Sequence, residues 1–337
     1  MAYILLNKNN FFYNLDIIAD KTKSKDKIAV VLKDNAYGHG LYEMATLARE
    51  HGITKTVVQT QNDAQEIYAY FDYILVLAQI PEVADPKIHY TINSLESINK
   101  FPKKTKVELK VNTGMNRNGI EMDQLQEAFE LILKNELELK GVFTHQSCAD
   151  EEGDYFEFQK QNFEKVKFQA KELAKQYNII LSFHSANSAT LFRTKEFDED
   201  MVRVGIAIYG CLQMPQNICK VDLKPVLSVY ANKNSSRVIK KGDSVGYGAS
   251  FKSDTKQVVS NYDFGYGDGF FRACSNSYIT PEGIAIAGRI SMDNSSFLTD
   301  KEELLIFNDA KEVATFSGTF SYEVLTSLKS YLVKKIV

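Results

Sequence analysis

The residues of this chain that could do chemistry sit where short apolar runs end. Lys33 closes KIAVVLK, Lys110 lies in VELKV, Arg117 follows in GMNRNG, and His145 closes KGVFTH; Ser185 to Ser188 and Arg203 flank two further runs. Taken singly, each is a strand end reaching water, and Lys33 could snorkel its ammonium into solvent along an apolar stem. Six such positions in one layer are harder to dismiss. A lysine in a desolvated pocket loses pKa and becomes a nucleophilic amine, which is what condensation with a carbonyl requires. Lys33 is followed by DNAYGHG, a turn-rich loop with two glycines, so its amine would stand between a strand end and a loop.

The elements that must position these groups alternate. KIAVVLK, KTVVQ, YILVLA, IHYTI, VELKV, KGVFTH, IILSFH and VGIAIYG (204–210) are short apolar runs rich in β-branched residues, the pattern of buried strands. Between them lie stretches with helical spacing: LYEMATLAREHG, AQEIYAYF, DQLQEAFELILKN and the long charged FEFQKQNFEKVKFQAKELAKQY. Alternating strand and helix argues for a parallel α/β fold, and about eight strand candidates suit a TIM-like (β/α)8 barrel. A doubly wound sheet fits the alternation too, but no GxGxxG follows any strand. Beyond LKPVLSVY the texture changes to short β-type runs punctuated by Gly and Asp. The expected organisation is a barrel over residues 1–221 and a smaller all-β domain over 222–337, packed closely because no low-complexity linker separates them.

Composition bounds the class. The 337 residues are 44% hydrophobic and 25% charged with a formal net charge of −3, ordinary for a soluble protein and without the basic stripe that nucleic acid calls for. The four scattered cysteines form no CxxC pair and read as reduced cytoplasmic thiols. No signal peptide or membrane-spanning run is expected. His39, His51, His89 and His184 have no metal-ligand spacing and read as solvent or core histidines, so no metal is expected.

The segment AVVLKDNAYGHG (29–40) resembles the cofactor-attachment segment of alanine racemases. LKVNTGMNRNGI, GVFTHQSCAD, HSANSAT, MVRVGIAIYG, GDSVGYGAS, FGYGDG and GRISMD resemble further segments of that family, in family order, from residue 29 to 293. The resemblance implies a pyridoxal 5'-phosphate enzyme that interconverts L- and D-alanine, supplying D-alanine for peptidoglycan. It also implies a barrel plus a C-terminal β domain, and a head-to-tail homodimer whose active sites combine the two domains of different subunits.

Residue by residue, the resemblance makes Lys33 the cofactor-bearing amine and one of two acid/base groups, and Tyr247, from the partner, the second. Two are needed because racemisation removes a proton from one face of Cα and returns one to the other. His145 and Arg203 match the network that stabilises the tyrosine anion. Arg203 also matches the residue facing the pyridine nitrogen, and a guanidinium keeps its proton. Tyr37, Ser188 and the backbone near Gly205 and Ile206 match the phosphate grip, with Asn187 supporting the pocket; Ser188 alone reads as a helix N-cap. Arg117, the Met292 amide and Tyr266 match substrate contacts, and Lys110 matches a lysine that some members carbamylate. Asn112 and Ser291 stand where the family usually has Asp and Cys. The chain also stops short of the family's usual ending, and Tyr331 is an uncertain match for an entrance tyrosine. The alternatives are a serine or broad-specificity racemase, a fold-related decarboxylase, and a non-catalytic pyridoxal-phosphate-binding protein.

Overall fold

A computed structural model describes residues 1–337. Eight parallel strands, Ile28–Val31, Lys55–Val58, Tyr73–Val76, Ile88–Ile92, Lys106–Lys110, Glu138–Phe143, Ser182–His184 and Val202–Val204, follow one another in space, and the last returns to pair with the first. The ring closes between Ser182–His184 and Val202–Val204 through one bridge, Asn187 with Arg203, and the Arg203 N–H donates to Ala186 O at 3.0 Å. The helices Lys8–Thr22, Leu41–Glu50, Leu125–Lys134 and Tyr155–Tyr177 cover the outside, so the strands are buried on both faces and read as continuous apolar runs. No helix is long and apolar enough to cross a membrane.

The last strand departs from the expected 204–210. It occupies Val202–Val204, and from Gly205 the chain turns, with Ile208 N donating to Gly205 O and Gly210 N to Ala207 O. Ile206 to Tyr209 are still almost wholly buried, so their apolar run is the same whether they form a strand or a packed turn.

The second sheet is built on the 13-residue strand Leu227–Ile239, which pairs with Gln257–Tyr262, Glu303–Phe307 and, unexpectedly, Tyr3–Leu6 at the chain's start. Tyr3–Leu6 pairs in parallel with Val333–Ile336 on its other side. Tyr3–Leu6, within the 1–221 range expected for the barrel, therefore belongs to the second sheet. Nor is this part wholly β: helices Ala310–Ser317 and Ser321–Ser327 follow the sheet. One continuous core of 81 buried residues runs from barrel to second sheet, so the two parts share an interior rather than a linker.

Candidate active site

At the C-terminal ends of the barrel strands a cavity of about 420 Å³ opens. Lys33, Tyr37, Lys110, Arg117, His145, Asn187, Ser188, Arg203, Gly205 and Ile206 all line it. The placement follows from parallel pairing, which stacks successive strand ends in one layer.

Lys33 begins a turn of unusual hand. The strand stops at Val31, and Asp34 to Tyr37 all have φ between +51° and +54°. Left-handed backbone costs about 1–2 kcal/mol per L-residue, so a run of four must be held from outside. Hydrogen bonds do part of this: Ala36 N donates to Leu32 O at 2.9 Å, Gly40 N to Asn35 O at 3.0 Å, and Leu41 N to Asn35 Oδ1 at 3.0 Å. Helix Ser321–Ser327 does the rest. It packs so tightly on Gly38 (φ +77°) that a Cβ there would lie 2.2 Å from Leu325 O. Lys33 is less desolvated than expected, its side chain 34% exposed and its Nζ 3.4 Å from Asp34 Oδ2.

Hydroxyls and amides gather on one side of the cavity. Asn187, not Ser188, caps helix Ser188–Arg193, accepting from Thr190 N at 2.9 Å. That leaves Ser188 Oγ to accept from Gly205 N at 3.1 Å and Ala207 N at 3.3 Å. Tyr37 approaches so closely that a Cβ on Gly205 would lie 2.7 Å from its hydroxyl. Its ring is set by Tyr209 and Tyr322, with centroids at 5.2 and 5.9 Å. Tyr322 and Thr326 enter the cavity from helix Ser321–Ser327. Sequence reasoning missed both, and Tyr331 is elsewhere: its hydroxyl donates to Asp268 Oδ1 at 2.7 Å.

Lys110, Arg117, His145 and Arg203 line much of the rest, with two exposed carboxylates, Asp34 and Asp150. Arg203 is 6% exposed, and its guanidinium donates to His184 Nδ1, to His184 O at 3.2 Å, to Thr144 O at 2.7 Å and to Ser185 O at 3.2 Å, a set that fixes its plane. Burial, with the charges of Arg117, Arg203 and Lys33, pushes the Lys110 ammonium down to about 8. Burial, with the charges of Arg203, Lys110, Arg117 and Lys33, pushes His145 down to about 3, so its imidazole is neutral. Phe143 forms the floor under Arg203, whose Cζ lies 5.1 Å from the ring centroid.

Tyr247, Tyr266 and Met292 are not in this cavity. They are 66%, 43% and 56% exposed on loops of the second domain, and the loops of Tyr266 and Met292 are tied together by Tyr266 N to Ser291 O at 3.0 Å and Gly267 N to Met292 O at 2.7 Å. Asn112 takes up the loop role open to it: its Oδ1 accepts from Gly114 N and Asn116 N.

The sequence profile of the alanine racemase N-terminal domain matches residues 6–213, and that of the C-terminal domain matches 226–336. The chain is 42% identical to a protein named alanine racemase from a Nitratiruptor species, over 98% of each chain. Among solved structures, alanine racemase from Clostridium difficile 630 superposes with a TM-score of 0.89 at 26% identity, covering 100% of this chain and 95% of that one. Histidine racemase from Leuconostoc mesenteroides subsp. sake does so at 0.85 and 25%, covering 100% and 98%. With a barrel whose mouth gathers a lysine, a buried arginine and a cradle of hydroxyls and amides, and with relatives matching it end to end, the chain belongs to the alanine racemase family, as an isomerase.

Proposed function

We propose that this chain racemises alanine with pyridoxal 5'-phosphate held in the barrel-mouth cavity, as a cytoplasmic homodimer supplying D-alanine for peptidoglycan. The observation that carries the reading is that one cavity holds the Lys33 amine together with the Tyr37, Ser188 and Gly205 cradle. The residues fit the cofactor: a primary amine for its carbonyl, hydroxyls and backbone amides for a phosphate, and an approach at Gly205 that admits no side chain. When bound, pyridoxal phosphate supplies the electron sink that makes the proton on Cα removable.

The chain's own residues do the remainder. Lys33 would hold the cofactor at its carbonyl carbon, with loss of water; once the substrate amine replaces it there, its freed amine would move a proton at one face of Cα. Tyr247 of a second copy serves the other face, and the exposure of Tyr247, Tyr266 and Met292 suits a surface that completes the partner's cavity. Arg203, matched to the position beside the ring nitrogen, keeps its proton, so it would leave that nitrogen uncharged, a weaker sink that would favour racemisation over transamination. Arg117 binds the substrate carboxylate. Lys110, buried and without a carboxylate partner, is suited to react as its neutral amine with CO2, giving a carbamate and a proton and so an anion beside Arg117. Intact mass gaining one CO2 under native conditions and losing it on acidification tests this.

The deciding experiment incubates purified protein with pyridoxal phosphate and L-alanine and follows D-alanine by chiral chromatography, with Lys33→Ala alongside. D-alanine and a cofactor absorption band in the wild type, both lost in the variant, are the expected result. A wild type that binds no cofactor refutes the reading. The histidine racemase likeness favours one second reading, the same chemistry on a different side chain. A bound cofactor with inert alanine and active serine or histidine would select it, and CO2 release would select a decarboxylase instead.

A further inference from the structure

We propose that Glu108 is a positioning residue of this site, acting through His184 to orient the Arg203 guanidinium and to set a compensating negative charge behind it. The inference rests on the proposed role of Arg203 beside the cofactor ring.

Glu108 lies in strand Lys106–Lys110, fully buried, and shares its side of the strand with Lys110 two residues on. It is the chain's sole buried carboxylate side chain. Three strands converge on it. Its Oε1 accepts from Tyr73 Oη at 2.5 Å and from His89 Nδ1 at 2.8 Å, and its Oε2 accepts from His184 Nε2 at 2.7 Å. The fourth neighbour is Gly141, in register with Glu108, where a Cβ would lie 3.2 Å from Oε2 and 2.7 Å from Ser182 Oγ. The barrel therefore leaves a side chain out where the carboxylate needs room.

His184 joins this anion to the cavity. A guanidinium can only donate, so His184 Nδ1, which meets Arg203 Nη1, is the acceptor nitrogen and Nε2 carries the hydrogen given to Glu108. Burial holds His184 neutral despite the neighbouring carboxylate. Burial also opposes ionisation of Glu108, but hydrogen bonds from His184 and His89 outweigh it and hold the carboxyl well below the usual range. The sequence is then carboxylate, neutral imidazole, guanidinium, ending on a group that lines the cavity. Glu199 also favours the charged Arg203, more strongly than Glu108 does, but it is partly exposed and its oxygens are taken by Ser185 and Ala186. The cavity's own carboxylates are exposed, Asp34 beside Lys33 and Asp150 at the lining, so Glu108 is the buried counter-charge to Arg203. A plain core network would not need to end there.

The test uses full-length Glu108→Gln, His184→Gln and the double variant, loaded with pyridoxal phosphate. The readouts are cofactor affinity, the position of the bound-cofactor absorption band, and kcat and KM on L-alanine at saturating cofactor. Each single variant is expected to shift the band and lower kcat about ten- to hundredfold, the scale of losing a buried hydrogen bond to charge, with KM changed less than about threefold. The double variant should be no worse than the worse single one, because both break one relay. Band and kcat unchanged in folded Glu108→Gln, or losses that multiply in the double variant, would overturn the inference. Should Glu108→Gln not fold, an unchanged band and kcat in His184→Gln overturns it equally. A wild type with no cofactor band fails the function reading first and this one with it.

Discussion

Replacing Gly205 with Ala tests the cradle directly. The added Cβ would sit 2.7 Å from Tyr37 Oη and 3.0 Å from Tyr37 Cζ, well inside the roughly 3.5–4.0 Å at which carbon contacts are comfortable. Tyr37 has little room to yield: it is buried, its ring lies against Tyr209 and Tyr322, and its backbone is fixed at φ +52°. Overpacking of this kind costs about 1–3 kcal/mol. If the strain is relieved by moving the Tyr37 hydroxyl out of the cradle, pyridoxal phosphate affinity falls about 5- to 150-fold, at about 1.4 kcal/mol per factor of ten. Titration of the apoprotein with pyridoxal phosphate, read by absorbance, measures it. Tyr37→Phe alone also weakens binding by removing a donor. In the Gly205→Ala/Tyr37→Phe double variant the clashing oxygen is gone, so the combined loss should fall short of the sum by about 1 kcal/mol. Wild-type affinity in Gly205→Ala, or losses that simply add, would refute the argument.

Two further predictions follow from the same geometry. Lys33→Ala and Tyr247→Phe homodimers should each be nearly inactive, yet unfolding and refolding them together should restore about a quarter of wild-type racemase activity. Half the dimers are then mixed and each carries one intact shared site; a mixture that stays inactive argues against shared sites. Buried His39, whose Nδ1 donates to Tyr37 O at 2.9 Å, has its pKa pushed by burial down to about 4. Between pH 4 and 6.5 the unfolded chain takes up a proton that the folded ring refuses. Stability should therefore rise with pH through that window, by on the order of 3 kcal/mol from this residue. His39→Asn should flatten urea-denaturation stability against pH by close to one proton near pH 5, and an unchanged slope would contradict the assignment.

What the sequence settled by itself was the architecture of the barrel and several of the side chains that gather at its mouth. Short β-branched runs alternating with amphipathic stretches state which segments are buried on both faces, and parallel pairing then lines up their ends. Lys33, Lys110, His145 and Arg203 were legible for that reason: a cation or imidazole at the end of an apolar run is conspicuous. Tertiary structure decided the rest. Glu108 in VELKV drew no reading, because alternation says that two faces exist and not which one is inside. Only the meeting of three strands shows it to be interior. Tyr322 was hidden because the helix bearing it is seven residues long, too short for periodicity to register. Tyr3–Leu6 joined the far sheet because backbone pairing carries no side-chain code that names a distant partner. The left-handed turn after Lys33 was beyond local propensity altogether: it disfavours αL at Asp34 to Tyr37, and the packing of helix Ser321–Ser327 on Gly38 and of Tyr209 and Tyr322 on Tyr37 overrules it.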